Sequence, residues 1–421
     1  MTHACTRLRR GAVLVTAVGM LMGPAAAGAA LAVPLPATGT ATAAVTAADP
    51  PSPSASGNDV RELTPAVQRQ LDTAVQHVMR EASIPGVTVG LWTPDKGEYV
   101  KSFGVADKSN GRKMSTDLYM RIGSETKTFT VTALLQLVDQ GQAGLDDTID
   151  RYVGGVPNGD KITLRELAGM RSGLFNYTAD EGFFKALTSD PQQHFTPQQL
   201  LDYAFKHPVL FPPGKKFSYC NTNLILLGLV VEKLSGQRIE DFIHDHVLQP
   251  AGMDHSLFPT GTEFPSPHAQ GYTNQTASGK IEDTAHWNPS WAWSAGAMIS
   301  TLDDLRIWAR TVATGTLPDG DPLISPATQK QRLITPPTTI PGAGYGLGIF
   351  NVQGWIGHNG SLPGYESLTI YLPSAQATLV VLLNTDISFK GSEPSTVLGD
   401  AITKIVSPDH VFNLPAEPAA R

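Results

Sequence analysis

The sequence predicts an α+β fold, in which one sheet draws its strands from both ends of the chain around an all-helical subdomain. Two β-rich runs bounded by turn residues, 86–92 and 98–105, lie near one end. Further β-rich runs lie near the other end, at 345–352, 368–372 and 378–383. The intervening residues 145–260 consist mostly of helical patches separated by Gly and Pro. Of the 421 residues, 41% are hydrophobic, which is sufficient for a large core.

The individual elements follow from local patterns, taken in chain order. Thr64 and Pro65 are typical of an N-cap and a first helical position, and apolar residues at helical spacing extend this helix over 65–82. The turn 94–97 joins the first two strands into a hairpin, so the sheet is predicted to be antiparallel. Later helices are predicted at 124–138, 302–311 and 395–405.

The N-terminal residues 1–32 are predicted to be a secretory signal peptide that is cleaved. Basic residues Arg7, Arg9 and Arg10 precede an apolar run, and several Ala-x-Ala sequences follow it. The mature product is therefore expected outside the cell or in the cell wall, without a stable membrane anchor. A flexible linker is predicted at 33–58, a folded domain at 59–408 and a tail at 409–421. Within the folded domain, the sheet part is predicted at about 59–112 and 295–408, and the helical part at about 113–294.

Charge and cysteine content exclude several classes of function. The net charge is −7 and no block of basic residues occurs, so a nucleic-acid partner is not expected. Cys5 leaves with the predicted signal peptide, and Cys220 then has no partner for a disulfide or a Cys-based metal site. Cys220 is interpreted as a small buried side chain rather than as a thiol nucleophile.

The first candidate motif is Ser124-Glu125-Thr126-Lys127, at the predicted start of an apolar helix. Residues three apart on a helix face the same way, so the Lys127 amine can lie beside the Ser124 hydroxyl. A serine hydroxyl becomes a good nucleophile only when a base takes its proton, and Lys127 is placed to help. The helix N-terminus also supplies backbone N–H groups for a developing oxyanion.

The second candidate motif is Tyr219-Cys220-Asn221, which follows a Pro-Pro-Gly turn and precedes an apolar helix. Tyr219 could carry a proton between Ser124 and a leaving group if a nearby lysine ammonium stabilised its phenolate. Asn221 could hold a substrate amide. Taken alone, the motif is better explained by a loop aromatic and an N-cap asparagine.

The third candidate motif is His358-Asn359-Gly360-Ser361, between β-like segments. Gly360 would let an extended substrate pair closely with a strand edge, and the Ser361 backbone N–H could be a second oxyanion donor beside that of Ser124. A simple hairpin turn is the alternative.

In this order, Ser-x-x-Lys, Tyr-x-Asn and His-x-Gly resemble the motifs of the serine penicillin-recognising enzymes. This superfamily includes D-alanyl-D-alanine carboxypeptidases, class C β-lactamases, and related esterases and D-aminopeptidases. The likeness covers roughly residues 60–405 and is greatest to the secreted D-alanyl-D-alanine carboxypeptidases, which share the His-x-Gly form. Flanking runs are also similar, at 162–167, 172–174, 295–296 and 300–305.

The resemblance implies a β-lactamase/transpeptidase-like fold, with the sheet flanked by helices and the active site in the cleft beside the helical subdomain. Ser124 would be acylated, and Lys127 and Tyr219 would manage protons. Substrate binding would fall to Asn221, His358, Asn359 and Gly360. The implied substrates are small peptides, amides or esters, cell-wall peptides among them, with β-lactams as acylating ligands. No metal or other cofactor is implied.

One departure from the family pattern bears on substrate choice. Release of a terminal D-amino acid usually calls for a cation that binds its carboxylate, yet residues 345–371 contain no Lys or Arg. Phe350 and Asn351 stand where similar carboxypeptidases carry arginine, and His358 could supply charge only when protonated. The predicted function is D-alanyl-D-alanine carboxypeptidase-like hydrolysis or transpeptidation. The alternatives are an esterase, a D-aminopeptidase, a β-lactamase, or a β-lactam-binding protein without turnover.

Overall fold

Strands from both ends of the described chain pair into one eight-stranded antiparallel sheet. The computed structural model describes residues 59–414, and the strand order is β3-β2-β1-β12-β11-β10-β9-β8. These strands are β1 (Gly86–Thr93), β2 (Gly97–Asp107), β3 (Arg112–Lys113), β8 (Ala343–Tyr345), β9 (Phe350–Val352), β10 (Trp355–Leu362), β11 (Tyr365–Leu372) and β12 (Ala377–Leu383). The predicted α+β class and antiparallel sheet are confirmed.

Two short ladders lie apart from this sheet in the described residues. They pair β4 (Met120–Arg121) with β7 (Ile299–Ser300), and β5 (Tyr272–Thr273) with β6 (Glu282–Asp283). The predicted signal peptide 1–32, the predicted linker 33–58 and residues 415–421 of the predicted tail lie outside the described residues.

Helices are the main regular elements of the chain between β3 and β8, and helices also flank the sheet. Those near the two ends are α1 (Pro65–Glu81), α10 (Leu302–Thr314), α11 (Pro326–Arg332) and α12 (Pro394–Val406). Those between are α2 (Thr126–Asp139), α3 (Leu164–Ala168), α4 (Glu181–Ser189), α5 (Pro197–Phe205), α6 (Asn221–Ser235), α7 (Ile239–Ile243), α8 (Gln249–Ala251) and α9 (Trp293–Gly296). Shorter turns are the 3₁₀ turns Gly123–Glu125, Ile149–Arg151, Tyr177–Ala179 and Pro289–Trp291, and the π-helical turn His244–Leu248. No helix within residues 59–414 combines the length and apolar character needed to cross a bilayer.

The alternation of side chains along β11 places different layers on the two faces of the sheet. Glu366 faces α12, where one of its carboxylate oxygens accepts a hydrogen bond from the Ser395 backbone N–H at 2.8 Å. Ser367 faces the opposite way, and its hydroxyl donates to the backbone carbonyl of Ile122 at 2.9 Å. The sheet therefore separates α12 from the segment that begins α2, and this segment carries Ser124.

Helix α2 is the central buried element on that second face. Its side chains from Thr126 to Leu135 are all buried, and it packs against α6 and α9. Its apolar residues extend around the helix rather than along one stripe, as expected for a helix enclosed on all sides. This enclosure fixes the residues at its N-terminus.

Two local predictions differ from the structure. Residues 345–352 form no continuous strand, because Gly348 adopts a φ of +71° in a turn that separates β8 from β9. The predicted helix from Ser124 begins with a 3₁₀ turn, and regular α-helix starts at Thr126. By contrast, the first helix was predicted at 65–82 and spans Pro65–Glu81, with the Thr64 side chain accepting from the Val67 N–H.

Candidate active site

The 3₁₀ turn Gly123–Glu125, here termed the nucleophile turn, lies directly against the backbone of β10. Gly123 has a φ of +52°, and a Cβ on it would lie 2.6 Å from the Ser361 backbone nitrogen. A Cβ on Gly360 would lie 1.9 Å from the Ile122 carbonyl oxygen. Both positions therefore require glycine, because any side chain would push the turn away from the strand. This contact holds Ser124 beside the third predicted motif.

Lys127 is fully buried, and its amine lies next to the Ser124 hydroxyl. The distance from Lys127 Nζ to Ser124 Oγ is 2.9 Å, and Nζ donates to the Ala295 carbonyl oxygen at 2.7 Å. Burial holds the pKa of Lys127 well below its usual value, and the nearby side chains of Cys220 and Glu393 oppose this shift. A neutral amine keeps a lone pair with which to accept the Ser124 proton, so Lys127 can act as the general base.

Tyr219 completes the predicted trio. Its hydroxyl interacts with the Ser124 side chain, and its ring centroid lies 4.9 Å from Lys127 Nζ. Burial raises the pKa of the Tyr219 phenol, although the hydrogen bond with Ser124 acts in the other direction. The structure thus brings Ser124, Lys127 and Tyr219 together.

Burial acts on the pKa values of both Lys127 and Tyr219. Burial penalises both charged forms, so it shifts Lys127 toward the neutral amine and Tyr219 toward the neutral phenol. The arrangement favours Lys127 as the base and Tyr219 as a proton donor or relay. The role of Tyr219 as a proton shuttle between Ser124 and a leaving group stays a prediction.

The third motif lies within β10 rather than in a hairpin turn. Strand β10 pairs with β11 from Ile356 to Leu362, but it pairs with β9 only from Trp355 to Gly357. Beyond Gly357, the side of β10 that faces β9 has no strand partner among the described residues. An extended substrate can pair with such an edge. The edge starts at His358 and passes the nucleophile turn at Gly360 and Ser361.

His358 is buried and does not provide a positive charge. Its Nε2 lies 3.1 Å from the Tyr345 hydroxyl, and its Nδ1 lies 2.5 Å from the Asn359 carbonyl oxygen. Burial and the nearby Lys127 lower the pKa of His358 to about 3, against the effect of the Asn359 carbonyl. His358 is therefore neutral near pH 7, and it cannot bind a substrate carboxylate as a cation.

The two asparagines predicted to bind substrate are engaged by protein groups. The Asn359 amide donates to Glu393 at 2.6 Å, on the face of the sheet that carries α12. The Asn221 amide donates to the Thr178 hydroxyl at 3.3 Å, at the start of α6 and two residues beyond Tyr219. The substrate-binding role of both residues stays a prediction.

Several groups support the trio through contacts that were not predicted from the sequence. The Ala295 carbonyl orients Lys127, and Tyr345 is hydrogen-bonded to His358. Phe350 packs against His358, with ring centroids 5.0 Å apart. Ala295 and Tyr345 stand beside Gly296 and Gly346, but no local pattern connects either residue with a lysine or histidine far along the chain.

Comparison with known proteins agrees with this geometry. The family model described as "Beta-lactamase" matches residues 71–398 of this chain. Protein flp of Staphylococcus aureus (strain MW2) is 28% identical over 332 residues, which is 76% of this chain and 64% of the relative. The chain therefore matches less than two thirds of the length of that relative.

Two solved structures share both fold and sequence with the chain. A D-stereospecific amidohydrolase from Streptomyces sp. is 27% identical with a TM-score of 0.69, over 76% of this chain and 94% of the other. A D-amino acid amidase from Ochrobactrum anthropi SV3 is 25% identical with a TM-score of 0.68, over 80% and 98%. The family match spans most of the folded region, and the motifs that carry the resemblance meet around Ser124. The chain belongs to the beta-lactamase family, in the superfamily that includes the penicillin-binding proteins.

Proposed function

We propose that this protein is an exported serine hydrolase that forms an acyl-enzyme on Ser124 and acts on D-amino-acid amides and peptides. The observation that carries the proposal is the convergence of Ser124, the buried amine of Lys127 and the Tyr219 phenol at the open edge of β10. Export is the part of the proposal that rests on the signal-like residues 1–32.

In the acylation step, Ser124 Oγ attacks the substrate carbonyl carbon while its proton passes to the neutral Lys127 amine. The backbone N–H groups of Ser124 and Ser361 would stabilise the oxyanion that develops. Tyr219 then donates a proton to the departing nitrogen and regains one from Lys127, so the C–N bond breaks and an ester to Ser124 remains. Water attacks that ester in the second step, with the proton transfers reversed, and an amine can take the place of water in a transfer reaction.

The chemistry around β10 favours substrates that carry no free carboxylate at the leaving end. Residues 345–371 contain no Lys or Arg, and His358 is neutral. A carboxylate brought to this edge would lose its hydration without gaining an ionic partner from these strands. The two structural neighbours, one named a D-stereospecific amidohydrolase and the other a D-amino acid amidase, support the same choice. D-alanyl-D-alanine carboxypeptidase-like activity with a free terminal acid is the second candidate, since the His-x-Gly motif favours it.

Comparing an acyl-D-Ala-D-Ala peptide with its C-terminal amide tests this proposal. We expect kcat/KM for the amide to equal or exceed that for the free acid. Residues 345–371, which include β10, contain no Lys or Arg that could form an ion pair with the substrate carboxylate. The acyl-D-Ala-L-Ala amide is the stereochemical control. A strong preference for the free acid would establish the carboxypeptidase alternative, and rapid turnover of nitrocefin with neither peptide cleaved would establish a β-lactamase.

A further inference from the structure

Glu125, the residue after the nucleophile, is a buried carboxyl group that the proposed reaction does not use. Its exposed fraction is 1%, and both of its carboxyl oxygens are buried without a hydrogen-bond partner among the described residues. The side chains that act on its pKa as hydrogen-bonding groups are the hydroxyls of Ser367 and Thr369, on the face of β11 that carries the nucleophile turn. The Thr369 hydroxyl is also buried and unpartnered among the described residues.

Counting protons on these hydroxyls determines which form of Glu125 fits. Ser367 has one hydroxyl proton and donates it to the Ile122 carbonyl oxygen at 2.9 Å, so toward Glu125 it can only accept. A carboxylate has no proton to offer, whereas a carboxylic acid can donate to Ser367 and accept from Thr369. Only the neutral acid satisfies all three groups at once, and unsatisfied polar groups in the interior are costly.

The surroundings provide no positive charge that would favour the carboxylate. Among the elements packed against the nucleophile turn, α9 carries no titratable side chain, and His358 on β10 is neutral. On α2, the Lys127 amine is directed to Ser124 and Ala295. On β11, Glu366 faces α12, and the other titratable groups are the phenols of Tyr365 and Tyr371. Burial raises the pKa of Glu125 to about 8, and only a donating Thr369 hydroxyl opposes this shift, because Ser367 gives its proton to Ile122.

We propose that Glu125 is a positioning residue that, as a neutral carboxylic acid, donates to Ser367 and so fastens the nucleophile turn to β11. The connection continues through Ser367 to the Ile122 carbonyl, which lies directly under Gly360 of β10. It therefore sets the distance from the Ser124 N–H to the Ser361 N–H. This catalytic consequence rests on the proposed function, whereas the neutral state of Glu125 does not.

The variants Glu125→Gln, Glu125→Ala and Thr369→Val test the inference. Glutamine can donate to Ser367 and accept from Thr369 without titrating, so Glu125→Gln is expected to retain acylation within about threefold at pH 7. It should also lose the decline in acylation that we expect of the wild-type protein near pH 8 and above, where Glu125 ionises. Glu125→Ala should lower the acylation rate by about 100-fold with little change in KM, because the turn is no longer held at its distance from Ser361. Thr369→Val should give a smaller loss in the same direction.

The melting temperature gives a readout that needs no activity. The pKa of Glu125 is about 8 in the folded protein, against an ordinary value of 4.5 in the unfolded chain. Between these pH values the folded protein keeps a proton on Glu125 that the unfolded chain releases. Glu125 therefore lowers stability progressively as the pH rises from about 4.5 to 8. The melting temperature of Glu125→Gln minus that of the wild-type protein should therefore increase between about pH 4.5 and 8. Above about pH 8 this difference should no longer change with pH.

Asp386→Asn is the matched control. Asp386 is also a buried carboxyl group, but it accepts from Gly364, Thr273 and Gln275 and does not contact the nucleophile turn. This variant should keep the wild-type decline in acylation above pH 8. The inference is overturned if Glu125→Ala is acylated as fast as the wild-type protein, or if the melting-temperature gap of Glu125→Gln is the same at every pH. If the wild-type protein is never acylated, the proposed function fails, and the pH dependence of the gap still decides whether Glu125 is neutral.

Discussion

Replacing Ser124 by alanine is expected to lower kcat by about 10⁴-fold or more, because the variant has no atom that can form the acyl-enzyme. The fold should persist, since the Lys127 amine keeps its hydrogen bond to the Ala295 carbonyl. The measurement is steady-state hydrolysis of a D-amino-acid amide, with the melting temperature followed in parallel.

Ser189→Ala is the control for this loss. Ser189 is an exposed serine at the end of α4, so its removal should leave kcat and the melting temperature at wild-type values. Hydrolysis by Ser124→Ala at more than a few per cent of the wild-type rate would exclude the acyl-enzyme route. Labelling of that variant by a fluorescent penicillin would also contradict the assignment of Ser124.

Replacing Lys127 by methionine is expected to slow acylation by about 10³-fold or more, with little change in KM. Methionine has a similar length and fills the fully buried site, so the effect isolates the lost base. In the wild-type protein, the acylation rate should rise with pH as Lys127 loses its proton. The midpoint should lie well below 10.5, because burial lowers the pKa of the amine. Stopped-flow measurement of acylation between pH 5 and 9 checks both expectations.

Lys185→Met is the matched control for Lys127→Met. Lys185→Met removes an exposed lysine of α4 and should leave the pH profile unchanged. If Lys127→Met kept the same acid limb as the wild-type protein, another group would be the base. A Tyr219 phenolate would then be the first candidate to examine.

Sequence patterns were sufficient for features that depend on local periodicity. The helix at Pro65–Glu81 could be predicted because Thr64, Pro65 and an apolar stripe specify its start and its face. The contact of Lys127 with Ser124 followed from a spacing of three residues at a helix start. Family resemblance added Tyr219, which lies far from Ser124 along the chain.

Features that depend on burial could not be predicted in this way. His358 is neutral because the fold encloses it beside Tyr345 and Phe350, and nothing in its neighbouring sequence indicates this enclosure. The same cause lowers the pKa of Lys127 and raises that of Tyr219, which favours the neutral form of both groups. Glu125 meets Ser367 and Thr369 only because β11 crosses behind the nucleophile turn.

The account depends most on covalent chemistry at Ser124, and locating the acyl group tests it most directly. The protein is mixed with a p-nitrophenyl ester of an N-acyl-D-amino acid, quenched in acid during turnover, digested and mapped by mass spectrometry. We predict one acyl group on Ser124, absent from Ser124→Ala and retained in Cys220→Ala. The wild-type Cys220 thiol is buried and its pKa is raised to about 11, so it is a poor nucleophile. An acyl group on Cys220 or on any other residue, or product formation with no acylated protein, would contradict the account.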